Sequence, residues 1–280
     1  MNNLILIDTS YVTFYRFFAI LKWLLISKPD EYKEHIANPD YNWIKDEIFL
    51  EKYEKIYFES LKKLVGKKIF SKSNVIFCMD CPKDTIWRTL DIKCNYKGDR
   101  IDLSKKNDFK PIFKYTYQTL LPKFIKDNKN IKKLKLDNLE ADDIIGIIIK
   151  YYENTDPTKN IYLLSGDKDF LQLGRDHLYF INFKTKKPYQ ISKEEAKLLL
   201  HAKILLGDKS DCITSIFPSR FPLDKKKILI NSIEEFNIWL KENQNFNQKY
   251  IDNSTLIDFN YIPEKYKIQI IVEYLKLFNK

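Results

Sequence analysis

The sequence predicts an α/β fold, a central mostly parallel sheet flanked by helices, with a helical region following toward the C-terminus. Three observations carry this. Short apolar runs at Leu4–Ile7, Val75–Cys78 and Ile161–Leu164 each lead into an aspartate, at Asp8, Asp80 and Asp167. Such runs suit strands buried on both faces, which lose the in-out alternation of a half-exposed sheet. Segments of helical spacing separate them, and the one after Leu139 carries Ile144, Ile145, Ile147 and Ile148 on a wide apolar face. Finally, 44% hydrophobic content over 280 residues can fill one large core, or a catalytic domain with a smaller appendage.

The remaining elements follow in chain order. Thr9 and Ser10 are helix-starting residues for a helix through about Leu25. Within it Tyr15 and Arg16 are candidate nucleic-acid contacts, although aromatic residues beside an apolar helix more often belong to the core. Residues 27–72 have helical spacing around Ile48, Tyr53, Ile56 and Leu64 and no evident chemistry, so they form a helical cover or insertion. The helix after Leu139 runs to about Tyr152, and Leu178–Ile181 is a further strand leading into the basic turn FKTKKP. Ser192 and Glu195 make a capping box for a helix through Leu206, stopped by Gly207. A Pro-containing loop at Phe217–Pro222, the basic run Lys225–Lys227 and amphipathic stretches at Glu234–Lys241 and Glu264–Phe278 complete the chain. Composition divides it into a catalytic domain at 1–190 and a helical region at 191–280.

Bulk properties exclude several classes. Lys and Arg number 48 against 38 Asp and Glu, a formal charge of +10 that suits a polyanionic partner. Cys78 and Cys81 form a lone C-x-x-C with no second pair and no histidines nearby, so Cys78, Cys81, Cys94 and Cys212 read as reduced thiols of an intracellular, cytoplasmic protein. The apolar segment Phe17–Ile26 is broken by Lys22 and lacks the features of a signal peptide. No uncharged stretch approaches the roughly 20 residues of a membrane span.

The acidic residues carry the chemistry. LEADDIIG places Glu140, Asp142 and Asp143 within four positions. Two charges roughly 4 Å apart cost on the order of 4 kcal/mol at an effective dielectric of about 20, so the cluster calls for a cation. Asp8, Asp80, Asp167, Asp169, Asp208 and Asp211 bring the inventory to nine acids from five places in the sequence. Sites in parallel sheets form outside the carboxyl ends of the strands, where Asp8, Asp80 and Asp167 would converge. Helix capping alone accounts for any one of these acids, but poorly for all. Oxygen-only ligation selects Mg²⁺ or Mn²⁺, and two such ions are the usual arrangement for displacement at a phosphodiester. On a regular helix Glu140 and Asp143 share a face from which Asp142 diverges by about 100°, so all three reach one ion only if Glu140 lies in the preceding turn. His35, His177 and His201 sit in no nucleophile or ligand pattern.

Taken in order, LILIDTSYVTFYRFFA, FCMD, WRTLDIKCNYKGDR, LEADDIIG, LLSGDKDFLQL and LLGDKSD resemble the successive motifs of the structure-specific 5′ nuclease family, which includes flap endonucleases, phage 5′-3′ exonucleases and the 5′ nuclease domains of bacterial DNA polymerases. The resemblance covers about residues 4 to 211. It implies a PIN-like core, two Mg²⁺ ions for which Mn²⁺ can substitute, and hydrolysis of DNA at a 5′ flap, nick or free 5′ end, with RNA–DNA as a further substrate and a monomeric state. It assigns Asp8, Asp80, Glu140 and Asp142, with Asp143, to a first metal, and Asp167, Asp169, Asp208 and Asp211 to a second. It places a helical arch at about 82–125, with Lys97 and Arg100 as catalytic cations and Arg88 and Tyr96 as further DNA contacts. Lys97 and Arg100 are spaced so that a helix would present both on one face.

After Asp211 the chain departs from the family, whose glycine-rich hairpin holds duplex phosphates and a monovalent cation. CITSIFPSRFPLDKKKILI contains no glycine, and Pro218 and Pro222 lack amide donors. A modified helix-hairpin-helix-like clamp is expected, with Arg220, Lys225, Lys226 and Lys227 on phosphates and the cation site lost. A PIN-type ribonuclease and a catalytically inactive DNA-binding scaffold are the alternatives; the former generally lacks the arch segment and GDKSD in this arrangement, and the latter tends to lose the acids.

Overall fold

The structure is a computed structural model that describes residues 3–92, 96–97 and 109–278. Five strands, β1 (Leu4–Asp8), β2 (Asn74–Met79), β3 (Ile131–Lys135), β4 (Ile161–Leu164) and β5 (Leu178–Ile181), form one sheet in the order β3-β2-β1-β4-β5. Every pairing is parallel, with Ile5 opposite Val75 and Tyr162, and Asp8 opposite Cys78. The four apolar runs are strands as predicted. β3 has no predicted counterpart, because Ile131-Lys-Lys-Leu-Lys is an edge strand whose lysines keep it from reading as a buried run.

Helices cover both faces. α1 (Thr9–Ser27), α2 (Pro29–Ala37), α3 (Glu47–Val65) and α4 (Lys67–Ser71) precede β2; α5 (Trp87–Ile92), α6 (Lys110–Tyr115) and α7 (Leu121–Lys126) lie between β2 and β3. A single π-helical turn, Thr116–Leu120, joins α6 to α7. α8 (Ala141–Thr155) connects β3 to β4, and α9 (Lys193–Leu206), α10 (Leu223–Asn231), α11 (Ile233–Glu242), α12 (Asn247–Ile257) and α13 (Glu264–Lys276) follow β5. Ile5, Ile7, Val75, Phe77 and Met79 pack against Phe17, Phe49, Tyr53, Tyr57 and Ile112 on one side of the sheet. The alternate residues Leu4, Leu6, Ile76 and Cys78 meet α8 on the other. Among the described residues no helix is long and apolar enough to cross a membrane.

The boundary near residue 190 does not mark the end of the sheet's core. Phe259, Ile262, Tyr266, Ile270 and Tyr274 belong to the same apolar cluster as Leu6 and α8. The Tyr152 and Tyr274 hydroxyls lie 2.5 Å apart. Residues around α9 to α11 form a separate small core, of Leu205, Ile216, Phe217, Leu229, Phe236 and Trp239, and Cys81, Ile86, Tyr96, Ile204, Ile213 and Ile257 form another. The return of α13 escaped the sequence because amphipathic spacing shows that a face is buried without showing against what. Gly146 marks the contact: a Cβ there would come within 2.9 Å of the Phe259 ring. Gly146→Val is expected to lower unfolding stability by about 1–3 kcal/mol through overpacking. Urea denaturation checks this, and an unchanged midpoint would show that 259–274 packs loosely.

Candidate active site

The carboxyl ends of the strands assemble the acids. β1 ends on Asp8, whose Oδ1 accepts the Tyr11 N–H at 3.0 Å and so caps α1, while Oδ2 accepts the Ser165 hydroxyl at 2.8 Å. Asp8 itself, rather than Thr9 or Ser10, is therefore the helix cap. Burial, then the nearby Asp80, pushes its carboxyl up to about 7. Asp80 follows β2; its Oδ1 accepts the Ala141 N–H at 2.8 Å and its Oδ2 the Ser10 hydroxyl. Behind Ser10, at 3.0 Å, stands the Tyr117 hydroxyl, delivered by the π turn. Asp8, Asp80, Glu140, Asp142 and Asp167 line one cleft of about 380 Å³ together with Ser10, Tyr11, Lys97 and Gly166.

The start of α8 resolves the geometry of LEADDIIG. Glu140 is the N-cap, with extended backbone in the preceding turn, and both its oxygens are held by cations: Lys97 Nζ at 2.6 Å on Oε1 and Arg88 at 3.4 Å on Oε2. Tyr96 donates to Oε2 as well, at 3.2 Å. Burial alone would raise the Glu140 pKa, but Lys97 and Arg88 outweigh it and hold the group below its usual range. Asp142 faces the cleft; burial, reinforced by Asp8 and Asp167, drives its pKa well above the ordinary carboxylate range. A cation in the cleft would relieve that cost.

Asp143 departs from its expected role as a ligand. It is fully buried, and Oδ1 accepts from Arg88 at 2.8 Å while Oδ2 accepts from Trp87 Nε1 and the Glu140 N–H, each at 3.1 Å. Its helical position turns it toward the core as Asp142 turns toward the cleft. Arg88 departs from its role as a DNA contact for the same reason. It is 3% exposed, and beyond Glu140 and Asp143 its Nε donates to the Leu256 carbonyl at 3.0 Å, tying the end of α12 to the start of α8.

Tyr96 and Lys97 are buried against Glu140. Lys97 does not occupy a helix: its φ is +57°, and its N–H donates to the Asp211 carbonyl at 3.1 Å. That left-handed backbone turns the ammonium into the cleft, which regular helical spacing would not require. Arg100 lies outside the described residues. Tyr15 stacks on Phe183 at 4.1 Å, and the Arg16 guanidinium lies 4.1 Å from the same ring, so both are engaged in a half-exposed aromatic cluster beside Tyr11.

A second group of acids adjoins the first. Carboxylate oxygens of Asp169, Asp208 and Asp211 all lie within 4.8 Å of one another. Asp167, expected with this group, instead lines the cleft of the first while capping the turn that carries Asp169, whose N–H it accepts at 2.8 Å. A second cavity is lined by Asp169, Asp211 and Lys203 together with Glu140 and Asp142, so these last two form a wall common to both groups. Lys203 Nζ donates to Asp169 Oδ1 and pairs with Asp208 Oδ2 at 2.8 Å. Burial works against the Asp208 charge, but Lys203 and Ser210 outweigh it and hold its pKa at about 2. No motif signalled Lys203, which sits five residues before Asp208 on an otherwise ordinary helix. Ser10, Ser165 and Tyr117 also escaped notice. The histidines are structural: His201 Nε2 lies 2.8 Å from the Leu229 carbonyl, His177 Nδ1 3.1 Å from Asn160, and His35 stacks on Tyr41.

Comparison with known proteins bears directly on this arrangement. The model of the 5′-3′ exonuclease N-terminal resolvase-like domain matches residues 3–200, a span holding seven of the nine acids. The chain belongs to the 5′-3′ exonuclease family. Ribonuclease H of Enterobacteria phage T4 is 26% identical over 284 residues, spanning 88% of each chain. DNA polymerase I of Streptococcus pneumoniae is 28% identical over 225 residues, 77% of this chain and 22% of the polymerase. The bacteriophage T5 D15 protein co-crystallised with metal ions superposes with a TM-score of 0.65 at 17% identity, covering 98% of this chain and 99% of that one. The T5 D15 flap endonuclease with DNA and metal ions gives 0.62 at 15% identity, over 99% and 100%. At these identities the structures establish a shared fold. Family membership makes this protein a nuclease, and its oxygen-only donor groups suit divalent ions.

Two neighbouring acids should therefore behave oppositely. Asp142→Asn is expected to weaken Mn²⁺ binding by at least about tenfold. Asp143→Asn leaves Arg88 with one carboxylate fewer inside the fold, and is expected to cost about 3 kcal/mol of stability. Calorimetric titration and denaturant unfolding of both variants separate the roles; loss of ion binding with full stability in Asp143→Asn would restore it as a ligand.

Proposed function

We propose that this nuclease hydrolyses DNA phosphodiesters at 5′ ends and flap junctions with two Mg²⁺ ions, in replication or repair. The supporting observation is the pair of carboxylate groups at one rim of the sheet, divided by the common wall of Glu140 and Asp142. Asp8, Asp80, Glu140 and Asp142, with Asp167 at the mouth, would hold the first ion; Asp169, Asp208 and Asp211 would hold the second. When bound, such ions activate water and neutralise charge developing on phosphate oxygens. The protein supplies orientation. Ser165 and the Tyr11 amide fix Asp8, Ser10 and the Ala141 amide fix Asp80, and Arg88 locks Glu140 in place. Lys97 lines the cleft beside Glu140 and would meet a phosphate there.

The substrate range includes the RNA strand of RNA–DNA hybrids, a reading favoured by the phage relative named ribonuclease H. End-labelled flap, nicked, single-stranded and RNA-primed substrates should be cut near their 5′ ends in Mg²⁺ and left intact with chelator. Asp167→Ala should reduce the rate by at least about 100-fold, as expected when an ion-binding carboxylate is lost. Chelator-insensitive cleavage, or equal activity in the variant, would reject the mechanism.

Duplex DNA would lie against the region after Asp211. Arg220, Lys225 and Lys227 are exposed there and Lys226 is half-buried, with Lys225 Nζ 5.9 Å from the Trp239 ring and Lys226 Nζ 5.6 Å from that of Phe217. Aromatic packing replaces glycine in this loop, as Phe217 and Phe221 close over Trp239. Side-chain cations then carry the phosphate contacts. Duplex affinity is expected to be the same in potassium and in sodium at constant ionic strength, and potassium-specific tightening in a fluorescence-anisotropy titration would contradict it.

A further inference from the structure

The second carboxylate group brings its own cation. Three carboxylates within 4.8 Å of one another repel strongly unless positive charge opposes them. Among the described residues Lys203, in the last turn of α9, opposes two of them, its Nζ engaging Asp169 and Asp208 together. The contact is built into the chain's path. Gly207 ends the helix at φ +73°, where a Cβ would meet the Ile213 carbonyl oxygen at 2.4 Å. The chain then folds back through two Asp208–Ile213 hydrogen bonds of 2.8 Å, which set Asp208 over the helix carrying Lys203. With the ammonium in place, the cavity lined by Asp169, Lys203 and Asp211 measures about 10 Å³, room for about one water. The neighbouring cleft has about 380 Å³.

We propose that Lys203 is an internal counter-ion which occupies the position of the second divalent ion and must be displaced for that ion to bind. This rests on the two-ion reading above. Lys203 bridges Asp169 and Asp208 and leaves too little room beside them for a divalent ion as well, whereas Glu140, held by Lys97, still faces a cleft of about 380 Å³. The side chain has a way out: it is 22% exposed and sits on a flexible four-carbon stem. Two consequences follow for the reaction. The second ion binds more weakly than the first, and the acidic wall is already partly neutralised when a phosphate approaches before that ion has loaded.

The test uses the intact protein, Lys203→Met to remove the charge while keeping the stem, and Lys203→Gln as a second neutral variant. Free Mn²⁺ is counted by electron paramagnetic resonance during titration without DNA. The wild type should bind one ion tightly and one weakly; both variants should bind the second about tenfold more tightly with the first changed less than about twofold. An unchanged or weakened second ion in the variants overturns the proposal. A single ion bound by wild type and variants alike instead overturns the two-ion reading, so the two failures are distinct. Flap-DNA affinity supplies a readout that a merely structural role would not move. In chelator both variants should bind DNA about tenfold more weakly than wild type, because uncompensated carboxylates then face the phosphates, and Ca²⁺ should restore equality. Weakening of similar size in both conditions would identify Lys203 as a direct phosphate contact and overturn its role as a counter-ion.

Discussion

Mutual repulsion among carboxylates at one rim of a parallel sheet is the constraint on which the rest of this structure depends. The sheet topology sends Asp8, Asp80 and Asp167 to the same edge, and the start of α8 adds Glu140 and Asp142. Asp8, Asp80, Glu140 and Asp167 are held there by donors that the fold supplies. Backbone amides of Tyr11 and Ala141, hydroxyls of Ser10 and Ser165, and the cations Arg88, Lys97 and Lys203 all point at carboxylate oxygens. The arrangement leaves Asp142 with a raised pKa and Asp8 near neutrality, which is the electrostatic signature of a place made for added positive charge.

Capping and ligation need not compete. Asp8 caps α1, Asp167 caps the turn before Asp169, and Asp208 caps the turn before Asp211. A carboxylate has about four lone-pair sites, so an amide hydrogen bond fixes one oxygen without exhausting its capacity for an ion. Asp143 shows the limit of that reasoning. Its donors include a buried guanidinium and it has no exposure to the cleft, so it stabilises the wall instead of lining it. Arg88 binds that wall to the end of α12, which makes the C-terminal helices part of the catalytic framework.

The strands and the acid inventory were legible because each depends on local pattern. Continuous apolar runs mark strands buried on both faces, and an acid at the end of each run is visible without knowing the fold. β3 was hidden by its lysines, and the split between Asp142 and Asp143 by a helical rotation that one-dimensional spacing poses but cannot orient. Lys97 was singled out by its motif and lines the cleft, although its left-handed backbone contradicts the helix that the spacing suggested. Ser10, Ser165 and Tyr117 carry no sequence signal, since a hydroxyl acquires a role only when another segment brings a carboxylate beside it.

The sequence by itself determined the fold class, the family and the oxygen-only chemistry, because apolar periodicity and ordered acidic motifs are properties of the chain read along its length. Tertiary structure decided which acids face the cleft and which are locked in ion pairs. It also decided that α13 closes the core beneath α8, and that Lys203 stands among the acids of the second group. Those outcomes depend on contacts between residues tens to hundreds of positions apart, and the energy of such contacts exists only once the chain has folded.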